Sequence, residues 1–159
     1  MNKVITVEKA MLPRIAEIQK RVYAHFLDNE PWTDETALAF IEYNYKLQPD
    51  LFFVLLHEEN IAGYTFGRIK PWADGNHLIC EELLIDFAYQ GKGLSKHLGL
   101  KLLEEAVSKY NITTVEATTF DSYDGNPMKM YKKLGFKKQR YFLIEAKAQK
   151  LLKTLKGYQ

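Results

Sequence analysis

The spacing of apolar residues in the first third of the chain predicts two amphipathic helices. The first has apolar side chains three or four residues apart, at Leu12, Ile15, Ile18, Val22 and Phe26. Pro13 fits its first turn, where no intrahelical hydrogen bond is lost, and Pro31 ends it. Thr33 or Asp34 can cap the second helix, whose apolar face is formed by Leu38, Ile41 and Tyr45.

Short apolar and β-branched runs predict four strands in the first half of the chain. They cover Val4–Val7, Leu51–Leu56, Ile61–Ile69 and about 77–86. Because the connection His57–Asn60 is short, the second and third strands should pair as an antiparallel hairpin. The segment Lys70–Asn76, which contains Pro71, Trp72 and Gly75, is expected to be a loop. Gly63 and Gly67 indicate bulges or a close approach of the backbone to a ligand.

The second half of the chain alternates helical and strand patterns. A glycine turn over 90–95 opens a helix with Leu98, Leu102 and Ala106 on one face. The predicted elements that follow are a strand at Thr113–Phe120, a helix from Asp124 to Gly135, a strand at Phe136–Ala146 and a short helix around 151–155. Since strands joined by helices lie parallel, the order β-α-α-β-β-β-α-β-α-β-α predicts an α/β fold with a mixed antiparallel–parallel central sheet flanked by helices.

Composition narrows the class of protein without naming a function. The 159 residues suit a single domain over 1–159, and 47% hydrophobic with 26% charged residues is ordinary for a globular protein. A net charge of +2 is too small to indicate nucleic-acid or membrane binding, and we interpret the lysine-rich stretch Lys129–Lys156 as a solvated face. The single cysteine, Cys80, favours a reducing compartment, and the N-terminal residues lack the apolar run of a signal peptide, so the expected location is cytoplasmic.

The glycine turn is the first candidate for binding chemistry. Backbone N–H groups at the start of a helix are unpaired donors in a favourable dipole, and glycines let a phosphate approach them. The segment Gln90–Ser95 therefore predicts an anion cradle, most simply for a pyrophosphate. It does not match a P-loop, and Lys96 stands where a dinucleotide-binding fingerprint requires a third glycine.

Two sequence blocks together resemble the GNAT N-acetyltransferase superfamily. The first, Q-G-K-G-L-S after the strand ELLID, is similar to its acetyl-CoA signature [RQ]-x-x-G-x-[GA], with Gln90 and Gly93 matching and Ser95 replacing the usual Gly or Ala. The second, Met130–Phe136 (MYKKLGF), resembles the family's frequent LYEKLGF segment at the end of its fourth helix. The order and spacing of the blocks agree with the family over nearly the whole chain, which implies a GNAT-like acyl-CoA N-acyltransferase fold.

The resemblance implies where acetyl-CoA binds as co-substrate. Backbone groups of the strand before the turn should pair with the pantetheine arm, which here means Leu83, Leu84 and Ile85. The turn and first helical residues should hold the pyrophosphate, which here means Gln90, Gly91, Lys92, Gly93, Leu94, Ser95 and Lys96. Asp124 stands where family members often have an Asn that contacts the cofactor, and Asn126 is a nearby substitute.

Two residues are the predicted catalytic groups. Tyr131 matches a family tyrosine that often serves as acid to the leaving thiolate. Glu81 lies nine residues before Gln90, where polyamine acetyltransferases carry a Glu near the amine. Because side chains alternate across a strand, we expect Glu81 to face the cleft together with Leu83 and Ile85. Cys80 could form an acetyl intermediate, but a lone strand cysteine is more often inert packing.

The implied activity is transfer of an acetyl group to a primary amine, by direct attack. Acidic and aromatic side chains suggest a small cationic acceptor such as a polyamine, an aminoglycoside or an amino-acid amine; the candidate specificity residues are His25, Asp28, Glu30, Trp32, Trp72 and Asp74. A protein N-terminal or lysine acetyltransferase and a non-catalytic CoA-binding regulatory module remain alternatives. The four histidines show no metal-binding spacing, so no metal is expected, and the last strand could pair across a homodimer.

Overall fold

The chain folds into two compact units, residues 1–118 and 119–159. The computed structural model describes residues 2–26, 31–119, 127–140 and 143–157, with the side chains of Phe26 and Pro127 left out. The first unit holds a five-stranded sheet and three helices, and the described part of the second holds two helices. The expectation of a single domain over 1–159 stays a prediction.

The sheet runs in the order β1-β2-β3-β4-β5. Its strands are β1 (Asn2–Thr6), β2 (Phe52–His57), β3 (Asn60–Trp72), β4 (Gly75–Ile85) and β5 (Ile112–Ala117). The first four pair antiparallel with their neighbours, and β5 pairs parallel with β4. This mixed sheet, flanked by helices, confirms the predicted fold class.

Two hairpins explain why β3 and β4 are long. The β2–β3 turn places Glu58 and Glu59 at positive φ (49° and 68°), the conformation that matches the twist of paired strands. At the next turn Trp72 pairs with Gly75, so β3 and β4 continue to within two residues of each other. The loop expected over 70–76 is therefore wrong in extent, because Lys70, Pro71 and Trp72 belong to β3.

Three helices cover the two faces of the sheet in the first unit: α1 (Leu12–Phe26), α2 (Asp34–Leu47) and α3 (Ser95–Tyr110). Thr33 is the residue that caps α2, accepting a hydrogen bond from the backbone N–H of Thr36 in a capping box. The α1/α2 face buries Phe52, Val54, Tyr64, Phe66 and Leu84. The α3 face buries Phe53, Leu55, Leu78, Leu98 and Leu102.

The second unit contains α4 (Pro127–Lys133) and α5 (Ala148–Lys156). Gly135 ends the α4 turn at φ 91°, as expected of a C-terminal glycine. The strand predicted over 136–146 is not formed at the positions that the structure describes, 136–140 and 143–146. The segment Lys137–Arg140 is polar throughout, so this part of the chain has no alternating apolar face to bury. The predicted homodimer was based on pairing of this last strand, so it loses that support and stays a prediction.

Candidate functional site

A β-bulge in β4 sets the directions of the side chains around the predicted site. Phe66 pairs with Glu82 and Gly67 with Cys80, so Glu81 is left without a partner across the ladder. The extra residue shifts the alternation: Cys80 and Ile85 both pack on the α3 face, although their numbers differ in parity. The expectation that Glu81 shares one face with Leu83 and Ile85 by simple alternation is therefore wrong.

Glu81 points instead toward β3, where Arg68 donates from Nε to its carboxylate. Arg68 lies on the α1/α2 face, because the preceding residue, Gly67, faces Leu78 and Leu102 on the α3 side. Both side chains stay accessible, with 46% of Arg68 and 32% of Glu81 exposed. The bulge thus presents an ion pair at the surface of the sheet.

Strand β4 loses its second neighbour at the same point. The register with β5 runs from Asn76 paired with Ile112 to Cys80 paired with Ala117. After the bulge, Leu83, Leu84 and Ile85 pair with β3 alone among the described residues. Among the described residues, the other edge of this segment is therefore unpaired and can take an extended ligand, as the predicted pantetheine contact requires.

The glycine turn connects this open edge to α3. A single 3₁₀ turn, Phe87–Tyr89, precedes it, and Gly91 (φ 74°) and Gly93 (φ 68°) adopt the left-handed conformation. A Cβ at either glycine would meet no atom within 4 Å, so their backbone conformation rather than crowding is the reason for glycine. The start of α3 has no side-chain cap, which leaves its first N–H groups available to an anion.

Two side chains tie the turn to its surroundings. Gln90 donates from Nε2 to the carbonyl oxygen of Ile85 at 2.8 Å, which links the predicted signature residue to the end of β4. Asp86, almost fully buried between them, forms an ion pair with Arg21 of α1. The turn and the residues before it are therefore held by contacts with the end of β4 and with α1.

Glu82 is the second carboxylate at the bulge, and it faces α1. Its Oε2 accepts a 2.6 Å hydrogen bond from the Tyr23 hydroxyl, and its Oε1 accepts from the backbone N–H of Leu83 at 3.1 Å. The backbone N–H of Leu83 could donate a hydrogen bond to an oxyanion at this edge. The Glu82 carboxylate competes with any ligand for this N–H.

The thiol of Cys80 is packed rather than activated. It lies against the α3-side core. Burial raises the pKa of the Cys80 thiol to about 11, so the thiolate needed for nucleophilic attack is scarce at neutral pH. This geometry favours the interpretation of Cys80 as inert packing over an acetyl-cysteine route.

A polar network lies in the doubly paired half of β4. The buried His77 ring bonds through Nδ1 to Glu116 of β5 at 2.6 Å and through Nε2 to Asp74 at 2.7 Å. The hydrogen bond to the Glu116 carboxylate is the main reason why the pKa of His77 is raised. Lys70 adds bonds to both Glu116 oxygens at 2.8 and 3.0 Å and lies 4.5 Å over the Trp72 ring. Two carboxylates thus hold the His77 ring, and Lys70 bonds to one of them.

The remaining predicted residues that the structure describes have separate surroundings of their own. The His25 ring packs edge-on against Phe87 at 4.8 Å, and Trp32 packs between Tyr23 and Phe40 as part of the α1/α2-side core. Asp28, Glu30, Asp124 and Asn126 lie outside the described residues. Tyr131 belongs to α4 in the second unit, where its ring packs against Phe136 at 5.1 Å.

Gly67 indicated a bulge, and the β3–β4 register shifts at this residue, although the extra residue, Glu81, lies on β4. Sequence reasoning missed two features: the Arg68–Glu81 pair and the His77 network. Asp74 and His77 flank Gly75 at a spacing that could have suggested their contact. The partners Arg68 and Glu116 depend on strand register, which no local pattern reveals.

The described residues contain no group of three or more His, Cys, Asp or Glu side chains that could hold a metal ion. None of the helices described here is long and apolar enough to cross a membrane.

Known proteins resemble this chain in sequence and in fold. Residues 12–136 match the model of the acetyltransferase (GNAT) family. A curated relative, N-acetylaspartate synthetase from Xenopus tropicalis, is 32% identical over 103 residues, which cover 64% of this chain and 36% of the relative. The chain therefore spans about a third of that protein's length.

Solved structures show the same fold at low identity. A possible acetyltransferase from Clostridium difficile 630 superposes with a TM-score of 0.76 at 13% identity, covering 93% of this chain and 98% of that one. An aminoglycoside N-acetyltransferase in complex with CoA superposes with a TM-score of 0.69 at 16% identity, covering 93% and 95%. These similarities establish the fold.

Proposed function

Since the chain belongs to the acetyltransferase (GNAT) family, we propose that it transfers the acetyl group of acetyl-CoA directly to a primary amine of a small molecule. The observation that carries this proposal is the continuous path from the open edge of β4 after its bulge, through the glycine turn, to the uncapped start of α3. An extended thioester arm that ends in a pyrophosphate has the shape and charge to follow this path.

The residues proposed to bind acetyl-CoA follow that path in order. Leu83, Leu84 and Ile85 offer backbone groups to the pantetheine arm, and the amides from Gly91 to Lys96 face the pyrophosphate. Gln90 would act by holding the turn against β4, as its bond to the Ile85 carbonyl suggests. Asp124 and Asn126 stay in the proposal on the sequence match alone.

The proposed chemistry begins with removal of a proton from the acceptor ammonium. An alkylammonium has a pKa near about 10 and no nucleophilic lone pair until it loses that proton. Glu81, an accessible carboxylate at the bulge, is the proposed base, directly or through water. The free amine then attacks the thioester carbon, and the Leu83 amide stabilises the oxyanion. The C–S bond breaks as the nitrogen loses its second proton, and CoA leaves as the thiol. Tyr131 stays in the proposal as the acid to the thiolate on the sequence match alone.

The acceptor is proposed to be a small cationic amine. The names of similar proteins point to different acceptors: one is an N-acetylaspartate synthetase and another an aminoglycoside N-acetyltransferase. Amino acids, aminoglycosides and polyamines therefore all belong in the first assay. Peptides belong there too, because a protein N-terminal or lysine acetyltransferase would share the same cofactor site.

The test is a thiol-release assay with purified protein, acetyl-CoA and this panel of amines. We expect release of free CoA that depends on one acceptor class, with the acetylated amine identified by mass spectrometry. Peptide-only turnover would replace the small-molecule proposal by the protein acetyltransferase alternative. Tight acetyl-CoA binding by calorimetry without turnover on any amine would favour a non-catalytic CoA-binding module.

A further inference from the structure

The Arg68–Glu81 ion pair has binding capacity that the protein itself does not use. Arg68 donates only through Nε, so among the described residues its two Nη groups have no protein partner. Glu81 accepts through Oε1, and its Oε2 has no partner in the same part of the chain. The two Nη groups of Arg68 and the Oε2 oxygen of Glu81 therefore lie side by side and can bind a ligand.

Lys70, the neighbouring cation on β3, differs from Arg68 because the protein itself uses its charge. Lys70 lies two residues along β3 on the same face, and its ammonium bonds to both oxygens of Glu116 and covers the Trp72 ring. Its charge is thus engaged by the protein, whereas Arg68 keeps donors for a ligand. Arginine is also the side chain whose planar fork matches a carboxylate with two parallel hydrogen bonds.

The position of the pair relates it to the proposed reaction. Glu81 is two residues before Leu83, a distance of roughly 7 Å along a strand. The opposite face of β4 is covered by α3, against which Leu78, Cys80 and Ile85 pack. The face that carries Arg68 also packs against α1 and α2, but the side chains of Arg68 and Glu81 are accessible there. An acceptor that meets the thioester at this edge can therefore reach both of them.

We infer that the acceptor is a free amino acid, whose carboxylate is bound by the Arg68 fork while its ammonium lies at Glu81. The paired opposite charges are the complement of a zwitterion: one molecule with a carboxylate and an amine close together satisfies both. A polyamine would place a second cation against Arg68, which disfavours it. This inference rests on the proposed acetyltransferase function and narrows its substrate class.

The experiment compares matched acceptors that differ in one negative charge. Each of alanine, lysine and aspartate is assayed against its α-carboxamide, and the ratio of kcat/KM for acid over amide is recorded. For the native protein we expect the acid to be preferred for at least one pair. In Arg68→Gln that ratio should fall by roughly 10- to 100-fold, the range for a charge-assisted bidentate contact. Arg68→Lys, which keeps the charge without the fork, should give an intermediate ratio.

Lys70→Gln is the matched control, since it removes a cation from the same strand and face. Its ratio should equal that of the native protein if Arg68 acts by direct contact. Equal turnover of acid and amide by the native protein, or an unchanged ratio in Arg68→Gln, would overturn the inference, as would turnover restricted to polyamines, aminoglycosides or peptides. Absence of acetyl transfer to every acceptor would instead refute the proposed function itself, so the two failures are distinguishable.

Discussion

The two halves of β4 belong to one strand but have different surroundings. From Asn76 to Cys80 the strand is paired on both sides and holds the His77 network. From Glu82 to Ile85 it pairs with β3 alone in the described part of the chain, and it leads into the glycine turn. The bulge at Glu81 separates a half that stabilises the sheet from a half whose backbone can bind a ligand. Changes in the first half should therefore affect stability, and changes in the second should affect catalysis.

The sharpest test of this contrast is Glu81→Gln. Loss of a general base lowers rates by about 100-fold or more, so we expect kcat/KM to fall by that factor. The free energy of unfolding should change by no more than about 1 kcal/mol, since a solvent-accessible ion pair contributes little. Steady-state kinetics across pH and urea unfolding measure the two effects.

Glu82→Gln is the control, because it makes the same change one residue away on a side chain that faces Tyr23. We expect its kcat/KM to remain within about tenfold of the native value, below the usual effect of a lost base. If Glu82→Gln loses activity while Glu81→Gln keeps the native pH profile, the base is Glu82 and the assignment to Glu81 is wrong.

On β3, opposite the doubly paired half of β4, the matching test is Gly67→Ala. A Cβ at this position would lie 2.8 Å from Cδ1 of Leu78 and 2.9 Å from the carbonyl oxygen of Ile79. Because the carbonyl belongs to the ladder and cannot easily move, we expect a loss of about 1–3 kcal/mol in the free energy of unfolding. Urea unfolding gives this value directly.

Gly99→Ala in α3 is the control for Gly67→Ala, since it makes the same change where there is room for a Cβ. A Cβ at Gly99 would lie 3.5 Å from Cδ1 of Leu83, an ordinary contact, and alanine favours a helix over glycine by up to about 1 kcal/mol. Gly99→Ala should therefore be neutral or stabilising. Equal destabilisation by both substitutions would mean that the close approach at Gly67 does not determine its cost.

The contrast within β4 also shows how far sequence reasoning reached. The hydrophobic pattern predicted both helices of the N-terminal half, the hairpins and the parallel pairing of β5, because each depends on local periodicity and connection type. The glycine turn was found because left-handed glycines before a helix leave a local signature. The face of Glu81 was mispredicted, since one inserted residue reverses alternation and is invisible in the strand's own sequence.

The smallest predicted effect concerns pH and the His77 network. The bond to Glu116 raises the pKa of His77, so the folded state favours the histidinium more than the unfolded state does. The resulting stability is fully present below the unfolded pKa of about 6.5 and is lost as pH rises through the higher folded value. The hydrogen bond between His77 and Glu116 also lowers the pKa of Glu116, and the hydrogen bond between His77 and Asp74 lowers the pKa of Asp74. The stability that these two carboxylates contribute is therefore present above the ordinary carboxyl range and is lost in acid.

All three groups are charged between about pH 4.5 and pH 6.5, and within that window His77→Gln should reduce the free energy of unfolding most. The difference between native protein and variant should then shrink as pH rises through the raised pKa of the native His77. Urea unfolding at about pH 6 and about pH 9 measures this change, with His57→Gln as control, since that ring bonds to the neutral side chain of Asn2. A difference that stays constant or grows with pH would mean that His77 stabilises the sheet as a neutral ring. The doubly paired half of β4 would then owe its stability to packing and register rather than to charge.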